Sequence, residues 1–203
     1  MKLLLATRSL GKLAELRPLL APLGYDVVDL EEAGIAESPA EEELERFETF
    51  EENALAKARY FHALSGGVPV LSDDSGLVVD ALSGEPGVRS KRWSGRSDLS
   101  GRSLDAANNA MLLRRLDRVT DRSARYVCVA AFVGSRGEVV RRGETEGRIL
   151  SAPRGEEGFG YDPLFESAEL GRTFGELTRE EKARISHRGR AVRALIAELS
   201  RGH

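Results

Sequence analysis

Two adjacent carboxylates, Asp73 and Asp74, follow an apolar run at residues 68–71 and lead into Ser75 and Gly76. The run predicts a buried strand, and carboxylates at its end are costly unless they bind a cation or accept several hydrogen bonds. Mg²⁺ prefers carboxylate oxygens and keeps several waters, so a magnesium site that also holds phosphate fits these residues. A turn is the alternative, because turns also favour Asp, Ser and Gly.

A second polar segment, residues 7–12, lies where the apolar run at residues 3–6 ends. It reads Thr-Arg-Ser-Leu-Gly-Lys and places Lys12 at the start of a predicted helix. Free N–H groups at a helix start, together with an ammonium group, attract anions, so this segment could hold phosphates. Its glycine spacing is not that of a P-loop, and a plain connecting loop is the alternative.

A third cluster is aromatic. Phe159 has a glycine on each side and is followed by Tyr161 and Asp162. The flanking glycines would let a planar ligand approach the backbone, and Phe159 or Tyr161 could then stack on a base. An aromatic turn that covers the core is the alternative.

The last cluster is basic and lies near the C-terminus. Lys182 falls in a helix that the capping-box spacing after Thr178 predicts, and Ser186 can cap a final helix that opens with His187 and Arg188. Lysine, histidine and arginine side chains that converge there would suit a keto edge of a base or a phosphate. His62 and His203 belong to none of these clusters, and we expect no chemical role for either.

The elements predicted around the clusters alternate between strand and helix and then form a hairpin. The predicted strands are residues 3–6, 25–30, 68–71 and 77–82, with a hairpin of residues 125–133 and 138–147. The predicted helices are residues 12–20, which Pro18 should kink or shorten, residues 50–64, residues 103–116 with Ser103 as N-cap, and the two C-terminal helices. This order predicts an α/β fold with a mixed sheet.

The composition limits the class of protein. The 203 residues, 41% hydrophobic and 31% charged, predict one domain over residues 1–203, compact or with two lobes. A net charge of -3 gives no electrostatic reason to expect nucleic acid or a membrane as partner. The apolar N-terminal run is too short for a signal or a membrane span, so we expect a cytoplasmic protein. Cys128, the only cysteine, lies in an apolar run and should be a buried, inert thiol.

Six motifs, taken in order, resemble the inosine/xanthosine triphosphate pyrophosphatase family over residues 3–199. They are Thr7-x-Ser9-x-Gly11-Lys12-x-x-Glu15-Leu16, Thr49-Phe50-x-x-Asn53-Ala54-x-x-Lys57-Ala58, Ser72-Asp73-Asp74-Ser75-Gly76-Leu77, Pro86-Gly87-Val88, Phe159-Gly160-Tyr161-Asp162-Pro163 and Leu177-Thr178-x-Glu180-Glu181-Lys182-x-x-Ile185-Ser186-His187-Arg188.

The resemblance implies an Mg²⁺-dependent enzyme that hydrolyses the non-canonical purine nucleotides ITP, dITP and XTP to the monophosphate and pyrophosphate. It implies a homodimer with an elongated mixed β-sheet flanked by helices, and two lobes with a central nucleotide cleft. By position, Asp74 would be the general base and a metal ligand, and Asp73 its support. Glu45 would be the second metal ligand, with Glu41 and Glu43 as competitors.

The resemblance also implies a set of substrate-binding residues, while Lys57 is a less certain neighbour of the phosphates. The set is Thr7, Arg8, Ser9, Leu10, Gly11, Lys12, Asn53, Ser75, Phe159, Gly160, Tyr161, Asp162, Lys182, His187 and Arg188.

The sequence departs from the family pattern at two places. Ser9 stands where the family usually has asparagine, and residues 88–93 keep only Ser90 and Arg92 of the usual polar set. Two alternative functions stay open. One is a pyrophosphatase of the same architecture that acts on modified pyrimidine triphosphates. The other is a sensor that binds nucleotide without cleaving it, although a pure binder has little need for a second acid beside phosphate.

Overall fold

The computed structural model describes residues 2–135 and 137–201. Arg136, in the predicted hairpin turn, and His203, for which we predicted no role, lie outside the described residues.

The strands of the described residues form one mixed sheet, as predicted. They are β1 (Lys2–Leu5), β2 (Asp26–Asp29), β3 (Val70–Val79), β4 (Ser123–Gly134), β5 (Gly137–Ile149) and β6 (Phe165–Ser167). Their order across the sheet is β2-β1-β3-β4-β5-β6. β1 pairs in parallel with β2 and β3, whereas β5 and β6 pair antiparallel.

Five α-helices accompany these strands in the described chain. They are α1 (Leu10–Leu20), α2 (Phe50–Leu64), α3 (Gly101–Arg115), α4 (Arg179–Ile185) and α5 (His187–Arg201). Short 3-10 helices lie at Ala21–Leu23, Pro39–Glu45, Asp80–Leu82, Gly87–Arg92 and Phe174–Glu176. None of the helices in the described ranges is long and apolar enough to cross a membrane.

The helix boundaries mostly agree with prediction. α2 has the predicted bounds, and Thr178 caps α4 with the predicted capping box. Pro18 does not end α1, which runs on to Leu20. The prediction of Ser103 as N-cap of α3 was wrong. Ser100 has the extended backbone of an N-cap, whereas Ser103 lies inside the first turn and donates its hydroxyl to the Ser100 carbonyl oxygen at 2.7 Å.

The largest correction concerns β3. The sequence predicted a strand that ends before Asp73 and a second strand from residue 77, with a turn as the alternative for the residues between. One continuous strand instead runs from Val70 to Val79 and includes both carboxylates. The turn alternative is therefore wrong, and two acids lie within a strand that is buried along almost its whole length.

The chain forms two compact units, each with its own apolar core. Unit 1 consists of Met1–Asp74, Cys128–Gly143 and His187–His203, and unit 2 of Ser75–Val127 and Glu144–Ser186. In unit 1, leucines of β1 and α1 pack against α5, as its predicted apolar face requires. Cys128 lies in this core, and burial raises the pKa of its thiol above the ordinary value, as expected for an inert cysteine. In unit 2, Tyr126, Phe165 and Phe174 pack together.

Candidate active site

Asp73 is the centre of a buried charge cluster in unit 1. Its side chain is fully buried, and its Oδ2 atom lies 3.1 Å from Lys12 Nζ and 3.1 Å from Arg188 Nε. Burial alone would favour the neutral acid, but the charges of Lys12, Arg188 and Lys57 outweigh it and hold the pKa of Asp73 well below its ordinary value. Asp73 is therefore a fixed anion.

The pKa of Asp74 is shifted in the opposite direction to that of Asp73. The residue is 6% exposed, and burial raises the pKa of its carboxyl group although Lys57 and Lys12 partly counteract the effect. Asn53 Nδ2 donates to Asp74 Oδ2 at 3.1 Å. Asn53 is itself held by Phe47, whose N–H donates to Asn53 Oδ1 at 3.0 Å. When the pKa values of two neighbouring acids are shifted in opposite directions, the acid with the lowered pKa stays ionised and the other can exchange a proton. Asp74 is therefore the candidate proton acceptor.

Lys57 joins Glu45 to this cluster. Its Nζ atom lies 2.5 Å from Glu45 Oε1 and 2.8 Å from the carbonyl oxygen of Asp73. Burial favours the neutral amine, but the charges of Glu45, Asp74 and Asp73 outweigh it and raise the pKa of Lys57. The buried lysine therefore stays charged beside three carboxylates.

The other two candidate glutamates have different partners. Glu41 accepts from Arg8 at 2.8 and 3.1 Å and from the N–H of Ser38 at 3.1 Å. Glu43 pairs with Arg46, and both side chains are more than half exposed. Of the three glutamates that competed in the sequence, Glu45 is the one that contacts Lys57.

Asp74 and Glu45 are the two carboxylates that could hold Mg²⁺. The negative charge of Glu45 contributes to the raised pKa of Asp74, so a cation held by both carboxylates would relieve their repulsion. In the part of the chain that the structure describes, no three His, Cys, Asp or Glu side chains converge as a complete metal site. Mg²⁺ commonly binds one or two carboxylates and takes its other ligands from water and substrate phosphate, which suits a pair.

The segment of residues 7–12 is organised around the start of α1. Ser9 is the N-cap, and its Oγ atom accepts the N–H of Lys12 at 3.4 Å. Thr7 Oγ1 accepts the N–H of Ser9 at 3.2 Å. Leu10 is 80% exposed. The structure brings Lys12 of this segment to Asp73, whereas Arg8 binds Glu41.

Unit 2 contains the aromatic cluster. Lys182 Nζ lies 2.5 Å from Asp162 Oδ2 and 5.1 Å from the centroid of the Phe159 ring. The same Asp162 oxygen accepts the N–H of Phe159 at 2.9 Å. A Cβ atom on Gly158 would lie 2.0 Å from this oxygen, and the φ angle of +75° lies in the left-handed region, so the loop favours glycine there.

The two aromatic candidates occupy different environments. Tyr161 is 3% exposed, lies in the core of unit 2 and donates its hydroxyl to the Ser90 carbonyl oxygen at 2.9 Å. Phe159 is half-buried, and Lys182 lies against its ring. Phe159 is therefore the better placed of the two to stack on a planar ligand.

Comparison with known proteins decides the family. The model of the Ham1 family matches residues 3–198. The chain belongs to the Ham1 family. The resemblance that the six motifs indicated is thereby confirmed.

The Ham1 relatives match over nearly their whole length. A protein of Frankia alni named dITP/XTP pyrophosphatase is 51% identical over 202 residues, which is 98% of this chain and 97% of the relative. A Thermus thermophilus protein of the same name is 47% identical over 205 residues, which is 100% of this chain and 93% of the relative.

Solved structures confirm the α/β fold with a mixed sheet. A HAM1 protein from Coxiella burnetii has a TM-score of 0.84 at 36% identity, with 99% of each chain covered. A nucleoside-triphosphatase / dITP/XTP pyrophosphatase from Mycobacterium abscessus has a TM-score of 0.72 at 45% identity, with 96% of this chain and 98% of that chain covered.

Lys182 and Arg188 of the basic set in this Ham1 chain have different partners within their own units. Lys182 binds Asp162, whereas the guanidinium group of Arg188, whose side chain is 2% exposed, binds Asp73 and Glu15. His187 is buried at the start of α5, and Ser75 is half-buried in β3.

Sequence reasoning missed Glu15 as a member of the Asp73 cluster. Glu15 lies three residues after Lys12 on α1, and residues at this spacing share a helix face. The helix pattern therefore placed Glu15 beside Lys12, although it did not indicate that both contact the Asp73 cluster. The contacts of Asp105 and Asn109 with Gly160 were also missed, and no local pattern indicated them.

Proposed function

We propose that this Ham1 protein hydrolyses ITP, dITP and XTP to the nucleoside monophosphate and pyrophosphate, and so removes non-canonical purines from the nucleotide pool. The observation that carries the proposal is a pair of adjacent buried carboxylates beside Lys12 and Lys57. The pKa of Asp73 is lowered and that of Asp74 is raised. The full-length relatives named dITP/XTP pyrophosphatase give further support.

The proposed chemistry is attack of water on the α-phosphorus. A new P–O bond forms, the bond from the α-phosphorus to the bridging oxygen breaks, and pyrophosphate leaves. Asp74, which accepts a hydrogen bond from Asn53 at 3.1 Å, takes a proton from the water. Lys12 offsets the growing negative charge, and residues 7–12 bind the phosphates at the start of α1. When bound by Asp74 and Glu45, Mg²⁺ supplies further charge neutralisation.

Recognition of the base is assigned to Phe159, Asp162 and Lys182 of unit 2. An ammonium group only donates hydrogen bonds, so Lys182 favours the 6-keto oxygen of hypoxanthine and xanthine over the 6-amino group of adenine. A 6-amino group would place donors against the Lys182 ammonium in a buried site, a mismatch that produces discrimination. The contact of Lys182 with the half-buried Phe159 ring supports this assignment.

We further propose that the protein acts in the cytoplasm as a homodimer. The family resemblance supports the dimer, and sedimentation equilibrium should give twice the chain mass of 22.2 kDa. The net charge of -3 supports a protein without a nucleic-acid partner.

A panel of triphosphates tests the function. Pyrophosphate release is measured for ITP, dITP, XTP, ATP, GTP and dUTP at saturating Mg²⁺. We expect the first three to have the highest kcat/KM. Faster turnover of dUTP or of modified pyrimidine triphosphates would establish the pyrimidine enzyme instead. Binding of ITP without pyrophosphate release would establish the sensor.

The metal assignment gives a separate prediction. Glu45→Gln should raise the Mg²⁺ concentration needed for half-maximal activity at least about tenfold. Removal of a residue that merely hydrogen-bonds to a metal ligand already lowers metal affinity by about that factor. Glu43→Gln is the matched control, because Glu43 lies on the same 3-10 helix and pairs with Arg46 at a site where both side chains are more than half exposed. Equal Mg²⁺ requirements in the two variants would contradict a role for Glu45 in metal binding.

A further inference from the structure

The main chain of Gly160 is held on both sides by one helix. Asp105 Oδ2 accepts the N–H of Gly160 at 2.9 Å, and Asn109 Nδ2 donates to the Gly160 carbonyl oxygen at 3.0 Å. Asp105 and Asn109 are four residues apart on α3, so their side chains lie on the same helix face. Both residues are half-buried. Side chains from two adjacent turns of α3 therefore bind the N–H and the carbonyl oxygen of Gly160.

The conformation of Gly160 shows why the loop requires such support. Its φ angle is +65°, in the left-handed region that glycine adopts freely, so the backbone itself does little to fix this conformation. The next N–H upstream, that of Phe159, donates to Asp162 at 2.9 Å. Together, three side chains set the path of the main chain on which the Phe159 ring is carried.

α3 is itself anchored through the residue beside Asn109. Asn108 Oδ1 accepts the N–H of Ser94 at 2.9 Å, and its Nδ2 atom donates to the Lys91 carbonyl oxygen at 3.0 Å. Tyr161 is tied to the same region by its bond to Ser90. α3 is thus fixed against the segment around residues 90–94, and a fixed helix can hold a loop in one position.

We propose that Asp105 and Asn109 are positioning residues for base recognition, which hold Gly160 and thereby fix where Phe159 presents its ring. The inference rests on the proposed function of unit 2 as the base-binding unit. Neither side chain needs to touch the nucleotide. Their effect is to pre-organise the loop, which reduces the entropy lost when a base binds.

The test uses alanine and conservative variants of both residues in the full chain. Asp105→Ala and Asn109→Ala should each raise the KM for ITP about fivefold, the effect expected from loss of one hydrogen bond, with a much smaller change in kcat. Asp105→Asn should restore most of the wild-type KM because an amide oxygen can still accept the Gly160 N–H. Asn109→Asp should be worse than Asn109→Ala, because it places a carboxylate against the Gly160 carbonyl oxygen.

Asp117→Asn is the matched control, since its side chain is 77% exposed and lies just beyond α3. Its KM should equal that of wild type. A merely structural role of Asp105 and Asn109 would lower Tm and leave KM unchanged, and that result would overturn the proposal.

Hydrogen exchange of the peptide that contains Phe159 and Gly160 provides a readout independent of turnover. In the nucleotide-free protein, exchange should be faster in both alanine variants than in wild type and Asp117→Asn. Unchanged exchange would overturn the proposed contact. If wild type released no pyrophosphate from ITP, dITP or XTP, the proposed function would fail, and the exchange experiment would still decide whether Asp105 and Asn109 hold the loop.

Discussion

Asp74→Asn should lower the kcat for ITP hydrolysis by about a thousandfold, within the range that a lost general base usually produces. The amide has the shape of the carboxyl group and keeps an oxygen that can accept from Asn53 Nδ2, so the fold should persist. It cannot take a proton from water near neutral pH. Binding of ITP should change far less than kcat, because Asp74 is assigned to the reacting water and to the metal rather than to the base.

The experiment separates chemistry from metal binding. Single-turnover pyrophosphate release is measured across a wide range of Mg²⁺, so a weakened metal site is compensated at high concentration whereas a missing base is not. Asp117→Asn serves as a control for the introduction of an amide at an exposed site. Recovery of Asp74→Asn to within tenfold of wild type at high Mg²⁺ would assign Asp74 to metal binding alone and require another base.

The parts of the fold that follow local patterns were predictable. The stripe of Phe50, Ala54, Ala58 and Phe61 gave the bounds of α2, because spacing of three and four residues places them on one buried face. Asn53 and Lys57 were identified on a neighbouring face, and both are buried at the acidic cluster. Local periodicity thus placed Asn53 and Lys57 on a helix face that lies against Asp73 and Asp74.

The continuity of β3 could not be predicted in the same way. Asp-Asp-Ser-Gly has the composition of a turn, and local preference favours ending the strand there. The strand continues because distant cations compensate the buried carboxylate of Asp73. Lys12 is 61 residues away in sequence and Arg188 is 115 away. No short stretch of sequence contains both Asp73 and these partners. The sequence therefore showed that burying two acids is costly, but it did not show which cations offset that cost.

The partners of Arg188 could not be read from the sequence either. Its place in the last motif, near Lys182 in sequence, indicated base recognition by both residues. In the structure its guanidinium group binds Asp73 and Glu15 within unit 1, whereas Lys182 belongs to unit 2. The chain passes from unit 2 to unit 1 between Ser186 and His187, and nothing in residue types at that point indicates the change.

Asp73→Asn should destabilise the protein by about 3–5 kcal/mol, the usual cost when one partner of a buried ion pair is removed. Lys12, Lys57 and Arg188 would keep their charges in a buried site that lacks the anion they surround. Urea unfolding at neutral pH measures the loss as a lower midpoint at unchanged slope. Asp98→Asn is the control, because the Arg96–Asp98 pair is more than half exposed and its loss should not be measurable.

A double-mutant cycle with Arg188→Met tests the cause of this instability. In Asp73→Asn the Arg188 guanidinium group loses its buried partner, and this should account for much of the destabilisation. Asp73→Asn should therefore destabilise the protein far less in the Arg188→Met background than in wild type, because a buried charge and its partner are then removed together. Additive losses would mean that Asp73 is stabilised chiefly by Lys12. A loss below about 1 kcal/mol for Asp73→Asn alone would contradict the assignment of Asp73 as the buried anion that holds the cluster together.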